Sequence, residues 1–178
     1  MLIYPAEFSQ RKSQSVLIKA MTYLPEDTVL ILCGDGSELD RCRTLARELR
    51  LDKRVLFPGR VKNMAPWYAL ADVAVTASRS EGLPFNVMEA MHCGLPVVAS
   101  RVKGHTDLIE DRVTGLLYDY GNAEQCAEQI RHLLAAPALR ATIAANARES
   151  VARFGLKRVL PEVMAAYGVT PVPARTID

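Results

Sequence analysis

Two glutamates, Glu81 and Glu89, flank the point where a strand pattern gives way to a helix pattern. The segment between them reads Gly-Leu-Pro-Phe-Asn-Val-Met. The first amides of a helix lack intrahelical partners and lie at the positive end of the helix dipole, so they can bind a diphosphate. Because helix side chains lean toward the N-terminus, we expect Glu89 to point into the crevice that Glu81 enters. The sequence predicts an anion site flanked by carboxylates that accept hydrogen bonds from sugar hydroxyls.

The same two glutamates also have a simpler interpretation. Glu89 would then be a helix residue stabilised by the N-terminal dipole, and Glu81 a solvated loop acid. The functional interpretation is preferred because a loop acid, a Gly-Leu-Pro turn, a helix acid and a Gly-x-Pro exit follow one another in a single segment. Pro84 suits a first-turn position, and Phe85, Asn86 and Val87 are the predicted amide donors.

The elements around this segment alternate regularly. Strands are predicted at residues 2–5, 28–33, 54–57, 72–77, 96–100 and 115–118. Helices are predicted at residues 13–23, 38–49, 64–70, 85–92, 106–110, 123–134, 138–153 and 159–167. Runs such as residues 29–33 are apolar on both faces, which is typical of a parallel sheet covered by helices. We predict an α/β fold, a doubly wound Rossmann-like parallel sheet of about six strands with helices on both faces, and a ligand beyond the carboxyl ends of the strands.

Composition excludes several kinds of partner. A net charge of +2 over 178 residues gives no general field for nucleic acid or an anionic membrane. The cysteines form no C-x-x-C pair and the histidines have no metal-ligand spacing, so we expect no metal site. Cys33 and Cys93 are expected to be small buried hydrophobes, which suits a reducing cytoplasm. We expect neither a signal peptide nor a transmembrane segment.

The segment from Ser80 to Ser100 resembles the donor-site segment of GT-B glycosyltransferases, family 4 in particular. It has the two glutamates separated by seven residues, then Ala-Met, Gly and a Pro-Val-Val strand. Weaker matches cover nearly the whole chain: Gly34-Asp-Gly36, Pro58-Gly-Arg-Val61, and Gly104 to Ile109 followed by Thr114-Gly115. The resemblance implies the C-terminal, donor-binding half of a GT-B fold.

The resemblance also implies roles for the central residues. Glu89 would bind the ribose diol, and Glu81 would contact the transferred sugar. The segment from Gly82 through Leu83 to Val87 would hold the diphosphate. Lys12 would direct its charge at the diphosphate and neutralise the leaving nucleotide. The family commonly has an arginine five residues before this lysine, where this chain has Glu7, so Arg11 is the candidate substitute.

Other donor contacts follow from weaker signals. Arg60, Val61, Lys62 and Asn63 would line the base pocket, although Val61 is equally a strand-end hydrophobe. Gly34 and Gly36 either let the backbone approach the ligand or form a plain turn. His105 either touches the donor or lies on the surface.

The implied reaction is retaining transfer of a sugar from a nucleotide diphosphate, of the UDP or GDP type, to a saccharide or lipid-linked acceptor, without a metal. Residues 1–169 would form the donor domain and residues 170–178 a frayed tail. An N-terminal acceptor domain would be absent, leaving an exposed apolar patch on the terminal helix at residues 155–168. Similarity to bacterial surface-polysaccharide transferases suggests work at the inner membrane face.

Two other functions stay open. The chain is a non-catalytic or split nucleotide-sugar-binding module in the first, and resembles a nucleotide-sugar epimerase in the second. A dehydrogenase is disfavoured, because no G-x-G-x-x-G opens the first helix.

Overall fold

Six parallel strands form a single sheet in a computed structural model of this chain. The structure describes residues 1–167, and for residues 156–158 and 162–163 it describes only the backbone. The strands are β1 (Leu2–Pro5), β2 (Leu30–Cys33), β3 (Val55–Gly59), β4 (Val73–Thr76), β5 (Val97–Ser100) and β6 (Leu116–Tyr118). Their order is β3-β2-β1-β4-β5-β6, and every neighbouring pair is parallel. The predicted doubly wound α/β fold is confirmed. The predicted tail at 170–178 lies outside the described residues.

Helices connect the strands and extend the chain beyond β6. They are α1 (Gln14–Ala20), α2 (Leu39–Glu48), α3 (Ala65–Leu70), α4 (Phe85–His92), α5 (Ala123–Ala135), α6 (Pro137–Val151) and α7 (Leu156–Ala166). Short 3-10 turns follow α1 at Met21–Tyr23 and α6 at Ala152–Phe154. No helix in the described part of the chain is long and apolar enough to cross a membrane. Leu160 on α7 and Tyr167, just after it, are exposed, and the predicted apolar patch stays a prediction.

The predicted helix at 106–110 is wrong, because this segment forms separate turns. The amides of His105 and Thr106 both donate to the Val102 carbonyl, and those of Leu108 and Ile109 both donate to the His105 carbonyl. Each turn therefore closes on its own acceptor, and no continuous ladder develops. So short a segment forms too few hydrogen bonds to offset the cost of helix nucleation.

Two apolar clusters cover the two faces of the sheet. On β1, Leu2 and Tyr4 join the cluster that contains α1, α2 and α5, whereas Ile3 joins the one that contains α3, α4 and α6. Successive strand residues point to opposite faces, so this division follows from the strand geometry. The doubly apolar strand pattern of the sequence is thus explained. Cys33 is buried as expected, whereas Cys93 caps the exposed end of α4 and is not.

The sheet reverses its direction of growth between β1 and β4. These strands pair side by side, with Leu2 opposite Val73 and Ile3 opposite Ala74, although about seventy residues separate them. In open α/β sheets the crevice at such a switch point is the usual ligand site. The loops that leave the carboxyl ends of β1 and β4 are therefore brought together.

Candidate functional site

An ion pair joins the two loops at the switch point. Lys12, in the loop between β1 and α1, donates from Nζ to Oε1 of Glu81, in the loop between β4 and α4, at 2.5 Å. Their side chains are only 11% and 6% exposed. The two residues predicted to act on the transferred sugar and the diphosphate are thus in direct contact.

Arg11 is a second cation on the same carboxylate. Its Nη1 donates to Oε2 of Glu81 at 2.8 Å and to the Ser80 carbonyl at 3.2 Å. Burial of Glu81 acts to raise its pKa, but hydrogen bonds from Lys12 and Ser78 and the charges of Lys12 and Arg11 outweigh it and lower the pKa below its usual value. Glu81 is therefore ionised at neutral pH.

Buried hydroxyl groups fix both loops from below. The Tyr4 hydroxyl on β1 donates to the Lys12 carbonyl at 3.2 Å and lies 2.9 Å from Oγ of Ser78. Ser100, at the end of β5, donates from Oγ to the Ser78 carbonyl at 2.6 Å. Burial raises the pKa of Tyr4 to about 12, so it stays a neutral donor. Three strand ends thus share one hydrogen-bond network beneath the ion pair.

The turn after β5 forms the back wall of this region. Gly104 has φ +87°, and a Cβ on it would lie 2.6 Å from the Glu81 carbonyl oxygen and 2.7 Å from the Glu81 Cβ. His105 is fully buried, with Nδ1 2.8 Å from the Ser100 carbonyl and Nε2 3.4 Å from the Thr76 hydroxyl. His105 therefore lies in the hydrogen-bonded interior. The sequence suggested either a surface position or contact with the nucleotide sugar, and this burial agrees with neither. Burial lowers its pKa.

Glu89 lies in a different environment on α4. It is exposed, and its Oε2 accepts a hydrogen bond of 3.0 Å from the hydroxyl of Tyr68 on α3. The same hydroxyl lies 3.2 Å from the Asn86 carbonyl in the first turn of α4, so the Glu89 carboxylate does point toward the N-terminus of its helix. Burial and the charge of Glu89 raise the pKa of Tyr68. Tyr68 was missed, because no sequence spacing links it to position 89.

The start of α4 differs from the prediction in two details. Pro84 is the N-cap rather than a first-turn residue, and the Val87 amide already donates to the Pro84 carbonyl. Within the described part of the chain, the amides of Phe85 and Asn86 have no backbone acceptor. The Phe85 side chain is 67% exposed and Val87 packs in the core. Two amides, not three, are thus available to an anion.

The side chains of the predicted diphosphate segment are arranged around this helix start. Gly82 and Leu83 are exposed in the loop before α4. The Asn86 side chain donates from Nδ2 to the Pro5 carbonyl at 3.1 Å, which ties the helix to the end of β1. The Asn86 side chain therefore anchors the start of the helix, and the backbone N–H of Asn86 keeps no backbone acceptor.

A cavity of about 550 Å³ opens beside the ends of β2 and β3. Its lining residues are Pro5, Ala6, Glu7, Cys33, Gly34, Asp35, Gly36, Arg60, Val61 and Met64. Four residues of the predicted donor site, Gly34, Gly36, Arg60 and Val61, are thus brought together. Lys62 and Asn63 are exposed and do not line it.

The two cavity glycines have a structural explanation. Both have φ +145°, and a Cβ on Gly34 or Gly36 would lie 2.0 Å from the Ala6 carbonyl oxygen or 2.3 Å from that of Phe8. The amides of Ala6 and Phe8 donate to the carbonyls of Cys33 and Asp35, so the pairing of β1 with β2 continues past the strand ends. Glycine is required here by the neighbouring backbone, whether or not a ligand approaches.

No group of three or more histidine, cysteine, aspartate or glutamate side chains within the described residues could hold a metal ion. Side chains supply positive charge at this edge of the sheet. Lys12 and Arg11 supply it at the switch point, and Arg60 lines the cavity.

Several known glycosyltransferases are similar to this chain in sequence or in structure. EpsD of Bacillus subtilis (strain 168) is 32% identical over 169 residues, which cover 93% of this chain and 44% of that protein. The lipopolysaccharide core biosynthesis glycosyltransferase LpsE of Rhizobium meliloti (strain 1021) is 35% identical over 144 residues, 81% of this chain and 42% of that protein. The crystal structure of HepE from Anabaena in complex with UDP-glucose matches with a TM-score of 0.90 at 27% identity, over 94% of this chain and 48% of that one.

The chain spans less than half the length of each of these three proteins. The family model described as glycosyl transferases group 1 matches residues 1–150. The resemblance drawn from the glutamate segment is thus confirmed, and the chain belongs to the group 1 glycosyl transferases.

Proposed function

We propose that this chain binds the nucleotide-sugar donor of a retaining glycosyltransferase. One observation carries the proposal: Lys12 and Glu81, from the loops of two adjacent strands, meet at the switch point of the sheet. The cavity at β2 and β3 and the Glu89 carboxylate lie along the same edge. The base, ribose, diphosphate and sugar of a nucleotide-sugar donor can each contact one of these parts of the edge.

Glu89 binds the ribose diol in this proposal. Its carboxylate is exposed and has one phenol donor, so it retains capacity to accept hydrogen bonds from two hydroxyls. The free amides of Phe85 and Asn86 lie at the positive end of the same helix and bind the diphosphate. Gly82 and Leu83, in the exposed loop before them, contact the same group.

The base lies in the cavity between β2 and β3. A volume of about 550 Å³ is within the range of small-molecule sites. Arg60 and Val61 contact the base from one side, and the backbone at Gly34 and Gly36 forms the other. Lys62 and Asn63 contact it only from the rim. HepE was crystallised with UDP and with UDP-glucose, which supports a UDP-type donor.

Lys12 and Glu81 act at the reacting end of the donor. Negative charge develops on the diphosphate as the bond to the anomeric carbon breaks, and a cation held nearby stabilises it. Glu81 accepts a hydrogen bond from a hydroxyl of the transferred sugar and orients it. Lys12 supplies the charge, and so we propose that no divalent metal is required. Addition of EDTA should leave donor affinity unchanged.

The region that this chain covers is less than half the length of its relatives. The relatives are more than twice as long as the matched region, and we propose that a second domain binds a saccharide or lipid-linked acceptor. The name of LpsE supports a role in surface-polysaccharide synthesis. A lipid-linked acceptor would bring the protein to the inner face of the membrane.

Calorimetric titration of the chain with UDP, GDP and ADP tests donor binding. We expect one nucleotide to bind saturably, and Glu89→Ala to weaken it about tenfold, as loss of a hydrogen bond to a charged group predicts. Glu124→Ala is the control, since it removes an exposed helix carboxylate of the same type from a different helix, α5. Equal affinities in both variants would show that Glu89 only stabilises its helix. Binding of no nucleotide at millimolar concentration would refute the proposal.

A further inference from the structure

Two cations share one carboxylate at the switch point. Lys12 and Arg11 bond to different oxygens of Glu81, at 2.5 and 2.8 Å. Only one negative charge faces two positive charges, so the cluster has an excess of positive charge. The Arg11 side chain is 47% exposed and thus accessible to a ligand.

The backbones that carry these cations are fixed independently of their side chains. The Arg79 amide donates to the Arg11 carbonyl at 2.7 Å, and the Tyr4 hydroxyl donates to the Lys12 carbonyl at 3.2 Å. The backbone of Arg11 is therefore anchored to the β4 loop, and that of Lys12 to β1, without any contribution from Glu81. A change of partner therefore requires rotation of the two side chains but no movement of either backbone.

A diphosphate is a better partner for this cation pair than a carboxylate. It carries more charge, and its several oxygens can accept from a guanidinium and an ammonium at once. Glu7 is an acid on the wall of the neighbouring cavity, so no cation approaches the diphosphate from that position. Arg11 is the other cation already at the site.

We propose that Arg11 and Lys12 together bind the diphosphate of the donor, and that Glu81 occupies both cations until the donor arrives. On binding, the cations move to the phosphate oxygens and the Glu81 carboxylate becomes free to accept from a sugar hydroxyl. In this proposal, Glu81 neutralises the two cations when no donor is bound and orients the sugar when the donor is bound. This inference rests on the donor binding proposed above.

The test is a calorimetric titration of the full chain with UDP, which has the diphosphate but no sugar. Arg11→Gln should weaken UDP binding about tenfold or more, because a charged hydrogen-bond partner is lost. Glu81→Gln should strengthen it, by roughly three- to tenfold, because both cations are released and a repelling charge is removed. Arg41→Gln is the control: it removes an exposed cation on α2 that pairs with Glu38.

Each failure has a distinct meaning. If UDP binds and Glu89→Ala weakens it but Arg11→Gln does not, Arg11 is no phosphate ligand and this inference alone is overturned. If Glu81→Gln weakens UDP binding while its thermal unfolding matches that of the unmodified chain, Glu81 holds the cations in place rather than occupying them. If UDP, GDP and ADP all fail to bind the unmodified chain, donor binding falls and this inference with it.

Discussion

The two glutamates of the site lie in opposite environments on one edge of the sheet. Glu81 is 6% exposed and bonded by two cations, above a network of buried hydroxyls. Glu89 is exposed, has a single phenol donor, and faces the open part of the site. The Glu81 region is thus held together by contacts within the chain, whereas the Glu89 carboxylate can accept further hydrogen bonds.

This difference predicts that substitutions in the two regions affect the stability of the fold unequally. A buried charge that loses its partner destabilises the fold, whereas an exposed carboxylate can be removed at little cost. Substitutions in the Glu81 region should therefore change the free energy of unfolding as well as nucleotide affinity, and those in the Glu89 region should change mainly nucleotide affinity.

Lys12→Met should have the largest effect. It keeps the aliphatic stem but removes the ammonium from a nearly buried carboxylate, and we expect the free energy of unfolding to fall by about 3 kcal/mol. Lys19→Met, on the exposed side of α1, should change it by less than about 0.5 kcal/mol. Urea unfolding measures both. Similar values for the two variants would mean that Arg11 alone is enough to hold Glu81.

Gly104→Ala should come next. At φ +87° any side chain is strained, and here a Cβ would also meet the Glu81 backbone at 2.6 Å. We expect a loss of about 2 kcal/mol, of which about half is backbone strain and the rest contact with the Glu81 loop. Gly121→Ala is the matched control, with φ +82° and nothing within 4 Å, so it should show the strain alone. Equal thermal unfolding midpoints would exclude a close-packed wall.

The response to pH should also reside in the Glu81 region. Burial lowers the pKa of His105 below 6.5 in the folded chain, so the unfolded chain takes up this proton first and stability falls as the pH drops below about 6.5. The pKa of Glu81 is lowered from 4.5, so its contribution is present above pH 4.5 and is lost below it.

The upper window isolates His105. One proton changes stability by at most about 1.4 kcal/mol per pH unit. Urea unfolding of the unmodified chain between pH 7.5 and 5 should show a decline that is smaller in His105→Asn, which retains a donor toward the Ser100 carbonyl. Parallel declines in the two proteins would assign the effect to other groups.

Local sequence signals account for some parts of the fold, and contacts distant in sequence account for the rest. The strands and the start of α4 were predictable, because apolar runs and a Gly-Leu-Pro turn are local signals. The helix predicted at 106–110 was wrong, since this segment forms turns that close on the Val102 and His105 carbonyls. The contacts of the preceding Gly104 with Glu81 and of His105 with Ser100 are revealed by no local pattern.

The contacts of the site that the sequence did not predict depend on the arrangement of strands and helices. Adjacency of β1 and β4 brings Arg11 and Lys12 to Glu81, and the position of α3 brings Tyr68 to Glu89. Neither arrangement can be read from spacing along the chain. A buried tyrosine needs a partner for its hydroxyl, which is the one signal that could have drawn attention to Tyr4 and Tyr68.

Tyr68→Phe should have the smallest effect and test the open region. The substitution removes the donor to Glu89 and leaves the ring packed, so nucleotide affinity should fall about threefold, as loss of one neutral donor to an exposed carboxylate predicts. Burial and the charge of Glu89 raise the pKa of Tyr68, so the phenol is a donor throughout the accessible pH range and the effect should not vary with pH.

Two controls define what that result means. Tyr23→Phe changes an exposed phenol away from the sheet edge and should leave affinity unchanged. In the double variant Tyr68→Phe with Glu89→Ala, the tyrosine should add nothing further, because its contribution to binding acts through the carboxylate. If Tyr68→Phe lowers nucleotide affinity further in the double variant, Tyr68 acts through the Asn86 carbonyl and the start of α4. The Glu89 region would then also be held together by contacts within the chain, as the Glu81 region is.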